Sequence, residues 1–192
     1  MIKKIVNLIF EWFHLKKLDH IWLKYLHIEK PDTVAEHSLN AAQIWYILAK
    51  MEGADANKVA TMLVWHDIAE ARIGDMHKVA LRYITNKKEL EEKVMNEQFE
   101  WLDFWKEIKT YLEEMDDRLT LEWKLAKDAD YLEQAFQAKI YTEIGYEDAQ
   151  ERITNVGNAL RTESAKKIRN EMCKGRSTDR WLKEDLQNLK NV

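Results

Sequence analysis

Only six of the 192 residues are glycine or proline, five and one respectively, and this scarcity decides the fold class before any motif is read. An all-β sandwich or barrel turns roughly every 8–12 residues and relies on such breakers. The chain cannot supply them, so long helices are expected throughout. Hydrophobic residues make up 46% and charged residues 33%, enough for a sizeable core under a solvated surface. Eight tryptophans argue against intrinsic disorder. The length suits one domain spanning residues 1–192.

Helical spacing of Ile2, Ile5, Val6, Ile9, Trp12 and Phe13 predicts an amphipathic first helix with Lys3, Lys4 and Asn7 on its polar face. Pro31 precedes a capping-box pattern, Thr33-Val34-Ala35-Glu36, so the second helix should run from there to about Met51 and stop near Gly53. Asp55 caps a third helix, expected to continue through His66 to Ile73 and to end at Gly74. A short helix over 78–84 follows. Next come a long charged helix from Lys87 to about Lys109, a polar connection from Glu113 to Arg118, and one long helix from Leu119 to Ile144 ending at Gly145. Further helices are expected around 146–155, 160–173 and 179–189. The reading is all-α: a helical bundle.

Composition also removes function classes. The net charge is -4 and the pI about 5.9, without the basic footprint of a duplex-binding protein. Residues 161–192 carry nine basic and five acidic side chains, a local surplus that reads first as a solvated helix face and second as an RNA contact. Cys173 is the only cysteine, which excludes an intramolecular disulfide and a cysteine-rich zinc site and suits a reducing compartment. Glu11, His14, Lys16 and Lys17 interrupt the apolar N-terminal stretch, and no small-residue cleavage site follows. No apolar run reaches membrane-spanning length. A cytoplasmic protein without membrane or nucleic-acid partners is expected. Gly-rich phosphate loops and a GxSxG elbow are absent.

The chemistry concentrates in Val64-Trp65-His66-Asp67-Ile68-Ala69-Glu70-Ala71-Arg72-Ile73-Gly74-Asp75. On a helix, Glu70 lies one turn beyond His66 and Asp67, so an imidazole and two carboxylates share a side of a largely apolar segment. Unpaired buried carboxylates are costly, and a divalent cation would neutralise them. The same three residues also suit an ordinary helix with a hydrogen-bonded histidine and two exposed acids. His37, in a capped amphipathic helix, and Asp130, between Ala129 and Leu132, add donors on two other helices. Three helices in a bundle can surround one ion in this way.

In order along the chain, these segments resemble the HD superfamily of metal-dependent phosphohydrolases. Pro31-Asp32-Thr33-Val34-Ala35-Glu36-His37-Ser38 is similar to the segment of that family's first histidine. Trp65-His66-Asp67-Ile68-Ala69-Glu70-Ala71 with Gly74-Asp75, and Leu125-Ala126-Lys127-Asp128-Ala129-Asp130, resemble the 5'-deoxynucleotidase branch. The resemblance covers about residues 15–144, leaving 146–192 as C-terminal helices. It implies an HD-type fold and one divalent ion (Mn, Co, Mg, Fe or Zn) held by His37, His66, Asp67 and Asp130. Asp130 is preferred over Asp128 because its surroundings match. Two-metal branches of that superfamily typically add histidines between the His-Asp pair and the last aspartate; here His77 is the only one, so the resemblance implies one metal rather than two.

The implied activity is hydrolysis of nucleoside 5'-monophosphates, deoxyribonucleotides preferred. Glu70 would be the general base and Asp75 would hold a sugar hydroxyl. Lys78 and Arg82 would meet the phosphate, with His77 assisting or simply lying at the surface. Trp22 would flank the sugar or base, or serve as a core aromatic. Relatives usually offer an arginine near this tryptophan; Leu18-Asp19-His20-Ile21-Trp22-Leu23-Lys24 has none, and Lys24 is the available substitute. The resemblance also implies a homodimer, for which exposed tryptophans such as Trp101 or Trp105 would serve. A phosphatase for another small ester and a non-catalytic metal- or nucleotide-binding regulatory module stand as alternatives.

Overall fold

The computed structural model describes residues 1–117 and 119–185. Among the described residues nine α-helices carry the fold: α1 (Ile2–Trp12), α2 (Val34–Glu52), α3 (Ala56–Trp65), α4 (Glu70–Ile73), α5 (Lys87–Phe99), α6 (Trp105–Asp117), α7 (Leu121–Glu143), α8 (Gln150–Ala159) and α9 (Glu163–Met172). Short 3-10 turns join them, and the described residues contain no strand, only an isolated antiparallel bridge between Asp19 and Thr33.

Local chemistry sets several ends as the sequence predicts. The hydroxyl of Thr33 accepts the Glu36 N–H at 3.3 Å, while Glu36 Oε2 accepts the Thr33 N–H at 2.7 Å, closing the capping box of α2. Asp55 Oδ1 accepts the N–H groups of Asn57 and Lys58 at 3.0 and 3.1 Å and starts α3. Gly53 ends α2 with φ 72°, a left-handed conformation that side chains disfavour. Thr120 caps α7 through the Trp123 N–H at 3.1 Å.

Two predicted helices are broken, neither at a glycine or proline. The first break, after Trp65, replaces the expected continuation to Ile73 with a turn over residues 66–69 and the single-turn α4. Packing explains it. Ala56, Val59, Met62 and Leu63 belong to a core shared with Trp45, Leu48, Leu125 and Leu132, whereas Ile68 and Ala71 belong to a second core with Leu8, Leu15, Phe99 and Trp105. The turn passes the chain from one core to the other.

The second break divides the expected helix from Lys87 to Lys109 into α5 and α6. On one continuous helix, positions 99 and 105 would point about 120° apart. Breaking it lets both rings enter the second core, where they stack with centroids 4.5 Å apart. α6 then continues to Asp117, through most of the polar connection expected at Glu113–Arg118; Arg118 lies outside the described residues. The expected helix over 78–84 is a 3-10 turn, Ala80–Arg82. That over 179–189 begins as a π-type segment, Arg180–Asp185, and positions 186–189 lie outside the described residues.

α2 packs most extensively on α3 and α7, and α7 on α8, so α7 forms the spine. Trp45, Leu48, Leu125 and Leu132 are wholly excluded from solvent, each contributing on the order of 1.5–3 kcal/mol. A third cluster, with Leu23, Ile28, Tyr141 and Ile153, fastens the loop before α2 onto α7 and α8. Trp105 is buried and Trp101 packs against the second core, so neither is the exposed interface tryptophan expected. Cys173 is an exposed free thiol. No helix among the described residues is long and apolar enough to cross a membrane.

Candidate functional site

Three helical segments meet where the two larger cores adjoin. α2 delivers His37, the turn after α3 delivers His66 and Asp67, and α7 delivers Asp130. His66 Nε2 lies 2.8 Å from Asp67 Oδ2; His37 Nε2 lies 3.8 Å from the same oxygen and 3.5 Å from Asp130 Oδ1. The two imidazole centroids are 5.7 Å apart. His37 is only 2% exposed.

The outer contacts fix how these rings are used. His37 Nδ1 is 2.6 Å from Glu133 Oε2, and His66 Nδ1 is 2.7 Å from the Leu63 carbonyl. Both partners are acceptors, so each Nδ1 donates and each Nε2 is left to face the carboxylates. Such a carboxylate or carbonyl behind an imidazole is the usual support of a metal-ligating histidine. With His66 Nε2 against Asp67 and His37 Nε2 between two carboxylates, the cluster calls for positive charge, a shared proton or a metal cation, and His37, His66 and Asp67 lie close enough together to hold a divalent ion. Electrostatics of the ion-free protein express the same demand. Burial opposes protonation of His37, yet Glu133, Asp130 and Asp67 raise it to about 9. Burial likewise opposes ionisation of Asp130 and Asp67, but Lys127 and His37 bring Asp130 down to about 2, and His66 and His37 hold Asp67 well below the carboxylate range.

Asp130 and Asp128 separate cleanly. Asp130 faces the cavity and is held by Lys127 and by Gln134 Nε2 at 2.7 Å. Asp128, 0% exposed, points to another side of α7. Its Oδ2 accepts the Thr162 N–H and hydroxyl, both at 2.7 Å, and its carboxylate takes the Arg161 N–H at 2.9 Å, which fastens the start of α9.

A cavity of about 360 Å³ opens on these donors. Glu70 and Asp75 line it beside the histidines. Glu70 is 5% exposed, and burial together with Asp67 and Asp75 pushes its carboxyl up to about 10. Gly74, with φ 74° and ψ 163°, is in a region open essentially only to glycine. It brings Asp75 back, so that Asp75 Oδ2 accepts the Ile21 N–H at 2.7 Å and holds the Trp22 loop to the cavity wall.

The expected substrate residues divide. Trp22, Lys78 and His77 line the cavity. Both His77 nitrogens are engaged, Nδ1 accepting the Ala80 N–H at 3.1 Å and Nε2 lying 2.8 Å from the Tyr25 hydroxyl, so His77 ties two loops together. Lys24 and Arg82 do not line it. The Lys24 ammonium is paired with Asp19 at 2.6 Å, and Arg82 is exposed on its 3-10 turn.

Sequence reasoning missed His20, Glu133, Lys87, Lys127, Gln134 and Arg152. Glu133 was within reach, being a buried acid three residues beyond Asp130 and so on the same helix face. His20 lies with its ring centroid 4.5 Å from that of His37. Lys87 and Arg152 come from α5 and α8, and no local pattern announces them.

The chain is similar to known proteins over most of its length. Residues 16–172 match the family model of the HD domain. Among solved structures, a structural-genomics crystal structure is 32% identical with a TM-score of 0.71, over 90% of this chain and 95% of that one. A conserved hypothetical protein from Pyrococcus furiosus is 27% identical with a TM-score of 0.70, over 97% and 99% of the two chains. The HD phosphohydrolase of cyanophage S-2L, bound to dA and one catalytic Zn2+ ion, shares the fold at 14% identity, with a TM-score of 0.50 over 83% and 90%. No curated protein matches the sequence.

Proposed function

The chain belongs to the HD domain family, and on that premise we propose that this metal-dependent phosphohydrolase cleaves the phosphate monoester of nucleoside 5'-monophosphates, deoxyribonucleosides preferred. The observation that carries the reading is the convergence of His37, His66, Asp67 and Asp130 beside a cavity that also holds Glu70 and Asp75. A purely structural ion would not need those two further carboxylates. The cyanophage protein that shares the fold is bound to dA and one catalytic Zn2+ ion, in keeping with a deoxynucleoside moiety in the substrate and with one ion.

His37, His66, Asp67 and Asp130 are the ligands, with Glu133 and the Leu63 carbonyl keeping both Nε2 atoms turned inward. A divalent ion held there supplies Lewis acidity toward a phosphoryl oxygen and toward water. Without an ion, burial and the neighbouring carboxylates keep the Glu70 carboxyl protonated; the positive charge of a bound divalent ion would favour its ionised form, in which it takes the proton of the attacking water. The water oxygen forms the new bond to phosphorus, the bond to the sugar 5'-oxygen breaks, and the proton passes from Glu70 to that departing oxygen. Lys78 and Lys87 on the cavity wall offset phosphate charge. Asp75, with Oδ2 taken by Ile21, offers its other oxygen to a sugar hydroxyl.

Phosphate release from a panel of nucleoside monophosphates, with manganese or cobalt added, tests this. The wild type should turn over deoxynucleotides, and Glu70→Ala should lower kcat by about 10²–10⁴. Release from other small phosphate esters but from no nucleotide would move the substrate assignment, and nucleotide binding without turnover would favour a regulatory module.

A further inference from the structure

Arg152 is an unexplained charge in the cavity wall. It projects from α8, whose neighbouring Ala149, Ile153 and Val156 are buried in the core, so its backbone is firmly placed. Its guanidinium lies over the Trp22 ring, 5.2 Å from the centroid. Nε is buried without a hydrogen-bond acceptor. Among the described residues no carboxylate forms an ion pair with it, although it shares the cavity with Asp67, Glu70, Asp75 and Asp130. The indole Nε1–H of Trp22 is also buried without an acceptor. A guanidinium remains charged, and one that is half-buried, with its Nε unmet beside a second unmet donor, is costly unless an anion completes it. Of the other cavity cations, Lys78 is exposed to water and two are paired. Lys127 is paired with Asp130, and Lys87 with Glu91 at 2.9 Å.

We infer that Arg152, braced on Trp22, grips the phosphate group of the substrate. The inference rests on the proposed phosphomonoesterase reading and specifies how that site holds its anion. It also changes the part assigned to Trp22. With a guanidinium over its ring, the indole is a platform that orients Arg152 rather than a stacking surface for the base. An arginine thus stands beside Trp22, supplied by a helix about 130 residues further along the chain. Planar, forked donors select a phosphate over a neutral group in a way that an ammonium does not.

The test compares wild type, Arg152→Met and Arg152→Lys, each checked for melting temperature and bound metal. Dissociation constants are measured for inorganic phosphate, for a deoxynucleoside 5'-monophosphate and for the corresponding deoxynucleoside, with KM and kcat alongside. Losing one charge-assisted contact should weaken phosphate and monophosphate by about 10–100-fold in the Met variant. The Lys variant should fall between, and the deoxynucleoside should change less than about twofold. Equal weakening of nucleoside and monophosphate would overturn the inference in favour of a base or packing role, as would unchanged phosphate affinity. Should Arg152→Met fail to fold, the Lys variant carries the comparison. If the wild type turns over nothing yet loses phosphate affinity in the variants, the hydrolase reading fails while the anion site stands. If the wild type turns over nucleotides and the variants keep its KM, the reverse holds.

Discussion

Replacing Asp128 should separate stability from metal binding, which makes it the most informative single substitution outside the site. Its carboxylate is fully buried and accepts three donors: the Arg161 N–H, the Thr162 N–H and the Thr162 hydroxyl. In Asp128→Ala the hydroxyl can turn to Ser164, whose Oγ is already 3.4 Å away. The Arg161 N–H is only partly buried and can recruit water. The Thr162 N–H has neither outlet. An unmet buried donor costs about 1–3 kcal/mol, and the lost charge-assisted bonds add to that. A total near 3 kcal/mol follows, or a fall of about 6–12 °C in melting temperature for a chain of this length. Asp128→Asn keeps one acceptor oxygen and should lose roughly half as much. Thermal and urea unfolding in chelator measure the loss, and titration with Mn2+ at a temperature where the variant is folded measures metal affinity, which should be unchanged. Asp130→Ala should behave in the opposite way, losing the ion with little cost in chelator. A loss below about 1 kcal/mol in Asp128→Ala, or a folded Asp128→Ala that no longer binds metal, would refute the assignment of the two aspartates.

Glu133→Gln leaves the fold in place but loosens the support behind His37, and metal affinity measured calorimetrically should fall about 10–100-fold. Glu70 gives a pH signature in the metal-free protein. Its folded value of about 10 lies above the ordinary 4.5, so its contribution to stability is whole below that ordinary value and is lost as pH rises toward 10. Glu70→Gln should therefore raise the melting temperature in chelator, with a gain that grows from pH 5 to pH 9; a gain independent of pH would contradict the assigned burial. Saturating metal should raise the wild-type melting temperature in proportion to the logarithm of free metal, and His37→Ala should abolish that dependence.

Much of the fold, and the segments that meet at the candidate site, were legible because the signals are local. The capping box at Thr33 and Glu36, the cap at Asp55 and the glycine stop at Gly53 each involve residues within a few positions of one another. The same locality let Asp130 be preferred by its neighbours, and the structure sends Asp128 elsewhere through Arg161 and Thr162. What escaped depends on contacts between distant segments. Nothing in residues 100–104 breaks a helix by itself; the stacking of Phe99 on Trp105 does so in three dimensions. Lys24 looked like a phosphate ligand by position, but Asp19 is nearer. Arg152 meets Trp22 only because α8 packs beside the loop that leads into α2.

The central claim is that His37, His66, Asp67 and Asp130 hold one divalent cation. Titrating chelator-treated protein with Mn2+ and Co2+, with metal content determined after gel filtration, tests it most directly. One ion per wild-type chain, lost in His66→Ala and in Asp130→Ala while both remain folded, is the predicted result. A wild-type chain that binds none, or variants that keep the ion with undiminished affinity, would contradict it.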